Sequence, residues 1–465
     1  MENIEKDSAF RVEHDSLGEV LVDASHFWGA QTQRSYGNFC IGQPQERMPF
    51  EIIYAFAQLK KACALANYEL NPTKMTQEKC QSIVAVCDKI LAGELSDEFP
   101  LVVYQTGSGT QTNMNVNEVV ANVTNLANGQ GFLHPNDDVN MSQSSNDTFP
   151  SAMHIAFVTQ IESKLIPSLK QLIAGFEAKE HECKGVIKSG RTHLMDAVPI
   201  SFSQELSGYR FSLQQNLALL QAVLVPLKQL AIGATAVGTG LNAPLHFDVK
   251  VCEQLQKQTN SDFVPCANKF HALTSLDEVV AVHGVLKALA MDLFKIANDI
   301  RLMASGPRCG LNEVILPANE PGSSIMPGKV NPTQCEQVTQ VAVQVFGNDA
   351  SIGFAASQGQ FELNVFLPVT AYNFLQSVRL LSSSMDSFLE HCLQGLRANE
   401  SKMTENLNRS LMLSTLLSPS IGYEKSAQCA LLAHNKDISL KEAVLELGYL
   451  SSEAFDQIYH PEQMI

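Results

Sequence analysis

The sequence has few positive charges and lacks any long uninterrupted hydrophobic run. Its 465 residues carry 32 Lys and Arg against 48 Asp and Glu, which gives a formal net charge of −16. Nucleic acids and anionic membrane surfaces are bound through a basic footprint that this composition does not supply. The N-terminus shows no basic region followed by an apolar run, and no apolar stretch of about 18 residues follows it. We therefore expect no nucleic-acid partner and no membrane partner.

Cysteine is present, but not in the spacing of a metal site. The eleven Cys are scattered, and the closest two, Cys80 and Cys87, are seven positions apart. Structural zinc sites need pairs about two to four residues apart, so no metal is predicted. Cys63 and Cys87 lie in apolar helical stretches, so we expect them to be buried thiols. Thiols that stay reduced are typical of proteins in a reducing compartment. The sequence therefore predicts a cytoplasmic protein without structural zinc.

Long helical patterns account for most of the chain. With 45% hydrophobic and 17% charged residues, the composition is that of a globular protein. Apolar residues recur at three and four spacing, and the strongest segments are about 150–180, 201–231, 275–304 and 332–395. Apolar residues lie on more than one face of these segments, which predicts a bundle. Helices of roughly thirty residues are longer than a small domain needs, so association between subunits is expected.

Several boundaries follow from local signals. A short hairpin is expected in the first fifty residues, and Asn71-Pro72 divides the stretch 50–92 into two helices. Ser275-Leu276-Asp277-Glu278 predicts a capping box, and Pro226 predicts a kink. The apolar face of the third long segment comprises Val279, Val282, Leu286, Leu289, Leu293, Ile296 and Ile300. Shorter pieces after residue 396 indicate a small helical domain.

Four polar, turn-rich segments interrupt the helical pattern and are the candidate sites. They are Gln105 to Asn115, His134 to Asp147, Gly190 to His193, and Gly322 to Pro332.

In the first of these segments, the hydroxyls of Ser108 and Thr110 could donate to an anion, or could simply cap a helix. The same two interpretations stay open for Ser144-Ser145-Asn146, just before a helical run. His193 lies in a short polar stretch between helices and not on an apolar face, which strengthens the case for an acid/base role, although a lone His is more often structural.

Two glycine-rich segments imitate cofactor loops without meeting their requirements. Gly322 and Gly328 are separated by five residues, and Val330 follows Lys329 where a phosphate-binding loop needs Ser or Thr. Gly238-Thr239-Gly240 follows a long helix, whereas a dinucleotide site needs a preceding strand. No cofactor is predicted.

Over nearly the whole chain the sequence resembles the class II fumarases of the fumarase/aspartase superfamily. The signature is Gly322-Ser-Ser-Ile-Met-Pro-Gly-Lys-Val-Asn-Pro332, and its continuation Thr333-Gln334-Cys335-Glu336 is fumarase-like. Aspartases typically have Ala at the position of Gly328 and an apolar continuation. Further similar stretches are Gln105 to Asn115, His134 to Asp138, Ser142 to Asp147, Gly190 to Asp196, Ala304 to Gly310 and Phe361 to Phe366.

The resemblance implies a mainly α, three-domain fold with a central bundle of long helices. We expect an N-terminal domain at 1–145, the long-helix domain at 146–395 and a small C-terminal domain at 396–465. It also implies a homotetramer in which each active site draws on three subunits. The implied reaction is the stereospecific, reversible hydration of fumarate to (S)-malate through an aci-carboxylate, as in the tricarboxylic acid cycle, with no metal or cofactor.

By the same resemblance, Ser323 is the base and His193 acts on the departing or attacking water. Glu336 orients His193, while Lys329 and Asn331 stabilise the dianionic intermediate together with hydroxyls. The implied substrate contacts are Ser108, Thr110, Ser144, Ser145, Asn146, Thr192, Ser324, Lys329 and Asn331. Gly322 and Gly328 flank the two serines, which suits a mobile lid.

A second dicarboxylate site is implied at His134, Asn136 and Asp137. The family pattern has an Arg three residues before the His, where this sequence has Gly131.

Two alternative functions remain. One is an aspartate ammonia-lyase, which shares the loop and the type of intermediate. The other is a non-enzymatic relative such as a lens crystallin, against which the intact set of acid/base and cationic residues argues.

Overall fold

The computed structural model describes residues 10–465, so the first nine residues of the expected N-terminal domain lie outside it. By its contacts the chain divides into two compact units. The first contains the described residues up to Pro167, with Ala218–Ala288 and Gln344–Leu381. The second contains Ser168–Leu217, Leu289–Val343 and Ser382–Ile465. The division into three domains stays a prediction.

The chain is mainly helical, as expected. Its α-helices are α1 (Ala30–Asn38), α2 (Phe50–Leu70), α3 (Gln77–Leu91), α4 (Thr110–Asn128), α5 (Ser145–Gln160), α6 (Ile166–Glu182), α7 (Phe202–Leu227), α8 (Phe247–Thr259), α9 (Lys269–Thr274), α10 (Asp277–Met303), α11 (Thr333–Ala356), α12 (Leu367–Phe388), α13 (Glu400–Arg409), α14 (Ser418–Ile421), α15 (Tyr423–Lys436), α16 (Leu440–Glu446) and α17 (Ser452–Ile458). Short π-type turns lie at Pro135–Val139, Ile161–Leu165 and Leu389–Leu393, and 3-10 turns at Ser96–Glu98, Leu411–Leu416 and Pro461–Met464.

The strands are short and pair two by two. They are β1 (Phe10–Asp15), β2 (Gly18–Asp23), β3 (Ile187–Thr192), β4 (Met195–Ser201), β5 (Gln229–Leu230), β6 (Val264–Pro265), β7 (Val314–Ile315) and β8 (Arg397–Ala398). The pairs β1–β2, β3–β4 and β7–β8 are antiparallel, and β5–β6 is parallel. The β1–β2 pair confirms the hairpin expected in the first fifty residues, whereas β3–β4 was not predicted as strand.

Helix α10 shows how apolar periodicity becomes packing. All seven residues of its predicted face are buried, from Val279 to Ile300. The residues recur at three and four spacing, so they form one stripe that is removed from water along the helix. Of the two side-chain hydrogen bonds that the predicted capping box requires at its start, only one forms, so this prediction is half wrong. Ser275 Oγ accepts from the Asp277 backbone N–H, but the Glu278 side chain turns to Asp277 instead of reaching back to Ser275.

The segment 332–395 was predicted as one helical stretch, and the structure divides it into α11 and α12. Asn364 ends the first helix, since its Nδ2 donates to the Ala355 carbonyl at 3.1 Å and so satisfies a terminal acceptor. A Cβ on Gly359 would lie 2.7 Å from the Thr274 carbonyl oxygen, so this turn needs a glycine. Helix α7 likewise ends earlier than predicted, at Leu227, one residue after Pro226.

Other predictions are confirmed. Helices α2 and α3 are separated at Asn71-Pro72, and short helices follow residue 396. The eleven cysteines are free thiols, and all except Cys40 and Cys309 are buried. Within residues 10–465, no helix has both the length and the apolar character needed to cross a membrane.

Candidate active site

The first candidate segment forms the start of α4 in the first unit. Gly109 precedes the helix with φ +73°, and a Cβ there would lie 2.0 Å from the Phe149 ring. Only glycine fits this close left-handed turn. The turn places the hydroxyls of Ser108 and Thr110 3.0 Å apart at the helix N-terminus. The helix amides and these hydroxyls together suit an anion.

The second segment forms the start of α5, also in the first unit. Ser144 and Asp147 make a reciprocal capping box, so the capping interpretation of this segment is confirmed. The buried Asp147 carboxylate also accepts from the backbone N–H groups of Gly233 and Thr235, at 3.0 and 2.8 Å. Burial raises the pKa of Asp147 to about 7, although these hydrogen bonds oppose the rise. The cap leaves Ser145 and Asn146, in the first turn, partly exposed.

Asn113 joins these two helix starts. Its Nδ2 donates to Ser145 Oγ at 3.0 Å, and its Oδ1 accepts from Thr148 Oγ1 at 3.1 Å. Donors from the starts of α4 and α5 therefore belong to one connected hydrogen-bond network in the first unit.

The segment 233–236 belongs to this network, and it directly precedes the Gly238-Thr239-Gly240 motif that was rejected as a dinucleotide site. Asn146 Nδ2 donates to the Ala236 carbonyl at 2.8 Å, and Asp147 holds the backbone at Gly233 and Thr235. A run of Gly and Thr after a long helix was the available signal.

In the second unit, His193 lies at the tip of the β3–β4 hairpin. Thr192 pairs with Met195, so His193 and Leu194 form a two-residue turn, with φ of +57° and +63°. Left-handed backbone costs non-glycine residues of order 1 kcal/mol each, and such strain is concentrated at functional sites. The His193 side chain is exposed, and no hydrogen bond to it is found within the described part of the chain.

The hairpin is held by a buried carboxylate that the sequence analysis did not identify. Glu313 accepts from both terminal nitrogens of Arg191, at 2.9 and 2.6 Å, and from Asn406 Nδ2 at 3.1 Å. Lys188 Nζ lies 3.4 Å away. Burial alone would raise the pKa of Glu313, but Arg191, Lys188 and Asn406 outweigh it and hold that pKa below its ordinary value.

A cleft of about 650 Å³ opens beside the hairpin in the second unit. Its charged lining includes Lys188, Arg191 and Lys295, and His193 lies at its edge. Acidic groups are also present, because Tyr209 Oη donates to Asp299 at 3.0 Å and Asp292 accepts from Asn216. The cleft is therefore mixed in charge.

The signature loop 322–332 is largely exposed and closes on itself. Asn331 Nδ2 donates to the Gly322 carbonyl at 2.9 Å, and a Cβ on Gly322 would lie 2.0 Å from the Lys329 carbonyl oxygen. Ser323 Oγ accepts from two backbone N–H groups, of Ile325 at 3.3 Å and Met326 at 3.1 Å. Lys329 projects from the loop as an exposed cation.

Glu336 lies in the first turn of α11, exposed, four residues after the loop. The contacts of the second unit, as far as it is described, include no hydrogen bond from His193 to Ser323, Lys329 or Glu336. The structure therefore sorts the predicted site residues into three groups: the α4 and α5 starts, the hairpin tip with Thr192 and His193, and the signature loop with Glu336.

The residues of the expected second dicarboxylate site lie beside a cleft of about 520 Å³ in the first unit. His134 and Asn136 line it together with Glu13, Asp15 and Glu118. His134 Nδ1 accepts from the Asp137 backbone N–H at 3.2 Å, so one ring nitrogen is already used. The three carboxyl groups of this lining outnumber its two imidazoles, His14 and His134.

His271 on α9 and Asp277 and Glu278 at the start of α10 offer ligand atoms within 4.8 Å of one another. His271 Nε2 lies 3.1 Å from Asp277 Oδ1. Burial and the neighbouring Asp277 raise the pKa of Glu278 to about 8, so Glu278 keeps a proton at neutral pH and hydrogen-bonds to Asp277. A proton thus already relieves the repulsion between the two carboxyl groups.

Comparison with known proteins gives a consistent result along the chain. Residues 18–347 match the family described as Lyase, and residues 413–465 match the one described as Fumarase C C-terminus. Fumarate hydratase class II of Helicobacter pylori is 57% identical over 461 residues, which cover 98% of this chain and 99% of that protein. The Staphylococcus aureus enzyme of the same name is 54% identical over 459 residues, with the same coverage.

Solved structures agree with the sequence relatives. A class II fumarase from Schistosoma mansoni superposes with a TM-score of 0.94 at 43% identity, and covers 98% of this chain and 99% of that one. A fumarate lyase:delta crystallin from Brucella melitensis, bound to cobalt, gives a TM-score of 0.93 at 39% identity, with the same coverage.

Proposed function

The chain belongs to the class II fumarate hydratase family, and from this we propose that its three groups of site residues act together on one fumarate or malate dianion. The reaction is the reversible hydration of fumarate to malate, as in the relatives that match it from end to end. The assignment rests on the sequence identity to these enzymes over almost the full length of the chain. The acid/base and cationic residues on the hairpin and the signature loop are also intact.

The chemistry explains why the site needs these residue types. Dehydration of malate removes a proton from the carbon next to a carboxylate and expels hydroxide from the neighbouring carbon. The carbanion becomes accessible only when its charge spreads into that carboxylate as an aci-carboxylate. Fixed donors and a cation must stabilise the added charge. Lys329 supplies the cation, and Asn331, Ser324 and Thr192 supply donors.

Ser323 is proposed as the base. A serine hydroxyl is a weak base unless its alkoxide is stabilised. The two backbone N–H groups that point at Ser323 Oγ provide such stabilisation, because hydrogen bonds to the charged form lower a pKa. Closure of the loop over the substrate would add Lys329 and exclude water.

His193 is proposed to protonate the departing hydroxide, and to activate water in the hydration direction. Its position at an exposed hairpin tip leaves both ring nitrogens available, one for the water and one for Glu336. The carboxylate of Glu336 would then fix the tautomer and favour the imidazolium.

The starts of α4 and α5 are proposed to hold the substrate carboxylates. Ser108, Thr110, Ser144, Ser145 and Asn146 present neutral donors there, with the helix amides adding partial positive charge. Neutral donors bind an anion without the cost of burying further charge.

A homotetramer is proposed to bring the groups together, with each site drawing on three subunits. In the isolated chain, the long helices leave large apolar side chains in water, among them Phe211 at 60%, Val343 at 60% and Phe354 at 75% exposure. Such side chains on long helices are typical of an association face. His193 and Glu336 carry no mutual contact within one chain, which the assembly would supply.

We also propose that the protein is cytoplasmic, because buried free thiols are typical of a reducing compartment. For the second dicarboxylate site, the acidic cleft at His134, Asn136 and Asp137 supports at most weak binding of a dianion.

The function is tested by adding purified protein to fumarate, with a chelator present, and following the loss of ultraviolet absorbance. We expect hydration without any addition. An aspartate ammonia-lyase would require ammonium, so a reaction seen only with ammonium would contradict the proposal. An inactive tetramer would instead support a non-enzymatic relative.

A further inference from the structure

Lys60, in the middle of α2, is a fully buried cation that contacts no carboxylate, although the buried Asp147 acts on it electrostatically. None of the ion pairs found in residues 10–465 involves Lys60. Its Nζ donates to two amide oxygens, Asn140 Oδ1 and Gln143 Oε1, each at 2.9 Å. Burial lowers its pKa to about 8, so the side chain still carries its proton at neutral pH. A buried charge is costly, so a fixed ammonium at this position requires a reason.

Lys60 fixes the orientation of the Asn140 amide group, and Asn140 in turn orients the amide group of Asn113. An ammonium group can only donate, so Asn140 must present its oxygen to Lys60. The same Oδ1 accepts from Asn113 Nδ2 at 3.2 Å and from Asn117 Nδ2 at 3.3 Å. The amide group of Asn113 is thereby fixed with its nitrogen towards Asn140.

Asn113 then sets the direction of the Ser145 hydroxyl. The second hydrogen of its Nδ2 goes to Ser145 Oγ at 3.0 Å, and its Oδ1 is occupied by Thr148 Oγ1. Because Ser145 Oγ accepts from Asn113, its own proton must point elsewhere. Ser145 lies in the first turn of α5 and is partly exposed, so this proton is available to a bound carboxylate.

We propose that Lys60 is a positioning residue that acts through Asn140 and Asn113 to keep the Ser145 hydroxyl a donor toward the substrate carboxylate. The inference rests on the proposed role of Ser145 in substrate binding. Without Lys60, the amide of Asn140 would keep only longer hydrogen bonds, such as the one from its Nδ2 to the Gln143 carbonyl at 3.3 Å. Asn140 and Asn113 could then both reverse, and Ser145 would donate inward and present lone pairs to an anion.

A double-mutant cycle tests this relay. Lys60→Met removes the charge and keeps the length of the side chain, and Ser145→Ala removes the hydroxyl. We expect Lys60→Met to lower kcat/KM about tenfold, mainly through a higher KM, since one charge-assisted hydrogen-bond array is lost. In the Ser145→Ala background, Lys60→Met should change kcat/KM by less than about twofold, because both act through the same proton.

The matched control is Lys61→Met. Lys61 is the neighbouring residue on α2, but its Nζ pairs with the exposed Asp88 at 2.6 Å and has no link to Ser145. We expect it to leave KM unchanged in either background.

A general packing role predicts a different result. If Lys60→Met and Ser145→Ala lower kcat/KM multiplicatively, or if folded Lys60→Met retains the wild-type KM, the relay is overturned.

Asn113→Asp provides a second test in case Lys60→Met fails to fold. It replaces the donor facing Ser145 with an acceptor of the same shape and adds a negative charge near the substrate dianion, so it should raise KM at least as much as Ser145→Ala. A wild-type KM in Asn113→Asp would overturn the relay independently. Absence of fumarate hydration by the wild-type protein in the same assay would instead count against the proposed function.

Discussion

Arg191 and Glu313 form a two-point ion pair, with Nη1–Oε2 and Nη2–Oε1 distances of 2.9 and 2.6 Å. The carboxylate is fully buried and the guanidinium is mostly so. Arg191 lies on strand β3 directly before Thr192 and the turn at His193, so this pair anchors the tip end of the hairpin that carries the proposed acid. The strained turn is therefore held by a buried ion pair beside it.

Glu313→Gln should destabilise the protein strongly. Removing one partner of a buried pair leaves Arg191 without its counter-charge, which costs about 3–5 kcal/mol, whereas Lys188 keeps Glu205 at 2.7 Å. The free energy of unfolding in urea measures this, and turnover should fall as the hairpin loosens. The control is Glu405→Gln in the exposed Lys402–Glu405 pair, expected to cost less than about 1 kcal/mol. Equal effects of the two variants would contradict the buried-pair argument.

His193→Asn should abolish most activity and leave the assembly intact. Asparagine tolerates left-handed backbone better than other non-glycine residues, so the turn at φ +57° is kept. Loss of a general acid or base lowers kcat about 10²- to 10⁴-fold. Turnover and the mass from light scattering are the measurements. Wild-type turnover would remove His193 from the mechanism.

Ser323→Ala should lower kcat by at least about 100-fold, because the variant lacks the oxygen that accepts from the backbone N–H groups of Ile325 and Met326. Ser324→Ala should act mainly on KM. The mass of the proposed tetramer should be the same for both variants, since the loop is exposed. If Ser323→Ala retains turnover while Ser324→Ala loses it, the base has been misassigned.

Val343→Glu should break the proposed tetramer and with it the activity. Val343 is 60% exposed on α11 of the isolated chain, and a charge at an apolar contact between subunits leaves an unpaired buried carboxylate. Leu431→Glu on α15 is the control, with a similar exposure of 61%. Light scattering should show smaller species only for Val343→Glu. A tetramer of unchanged mass in that variant would place the interface elsewhere.

Glu278→Gln should change how stability depends on pH. The folded pKa is about 8 and the ordinary value 4.5, so between these values the folded state holds a proton that the unfolded state releases. Wild-type stability therefore falls as pH rises from about 5 to 8. The neutral amide of the variant does not titrate. As pH rises from about 5 to 8, the free energy of unfolding of the variant should therefore increase by about 2–4 kcal/mol relative to that of the wild type. Parallel pH profiles of the free energy of unfolding would contradict the assignment.

The sequence determined the helical character of this protein and the composition of its site. Apolar spacing predicted the buried face of α10, because a helix repeats every 3.6 residues whatever its neighbours are. The signature loop, with Ser323 and Lys329, was recognisable because consecutive residues of one loop stay close in any fold.

Only the tertiary structure decided which distant residues meet. The Arg191–Glu313 pair joins positions 122 apart, and Asp147 meets the loop at Gly233 and Thr235. No local pattern encodes such contacts, since they depend on how helices pack. The break between α11 and α12 was missed for the same reason. It is made by the Asn364 side chain and by the close approach of Gly359 to Thr274, neither of which changes the helical spacing of apolar residues.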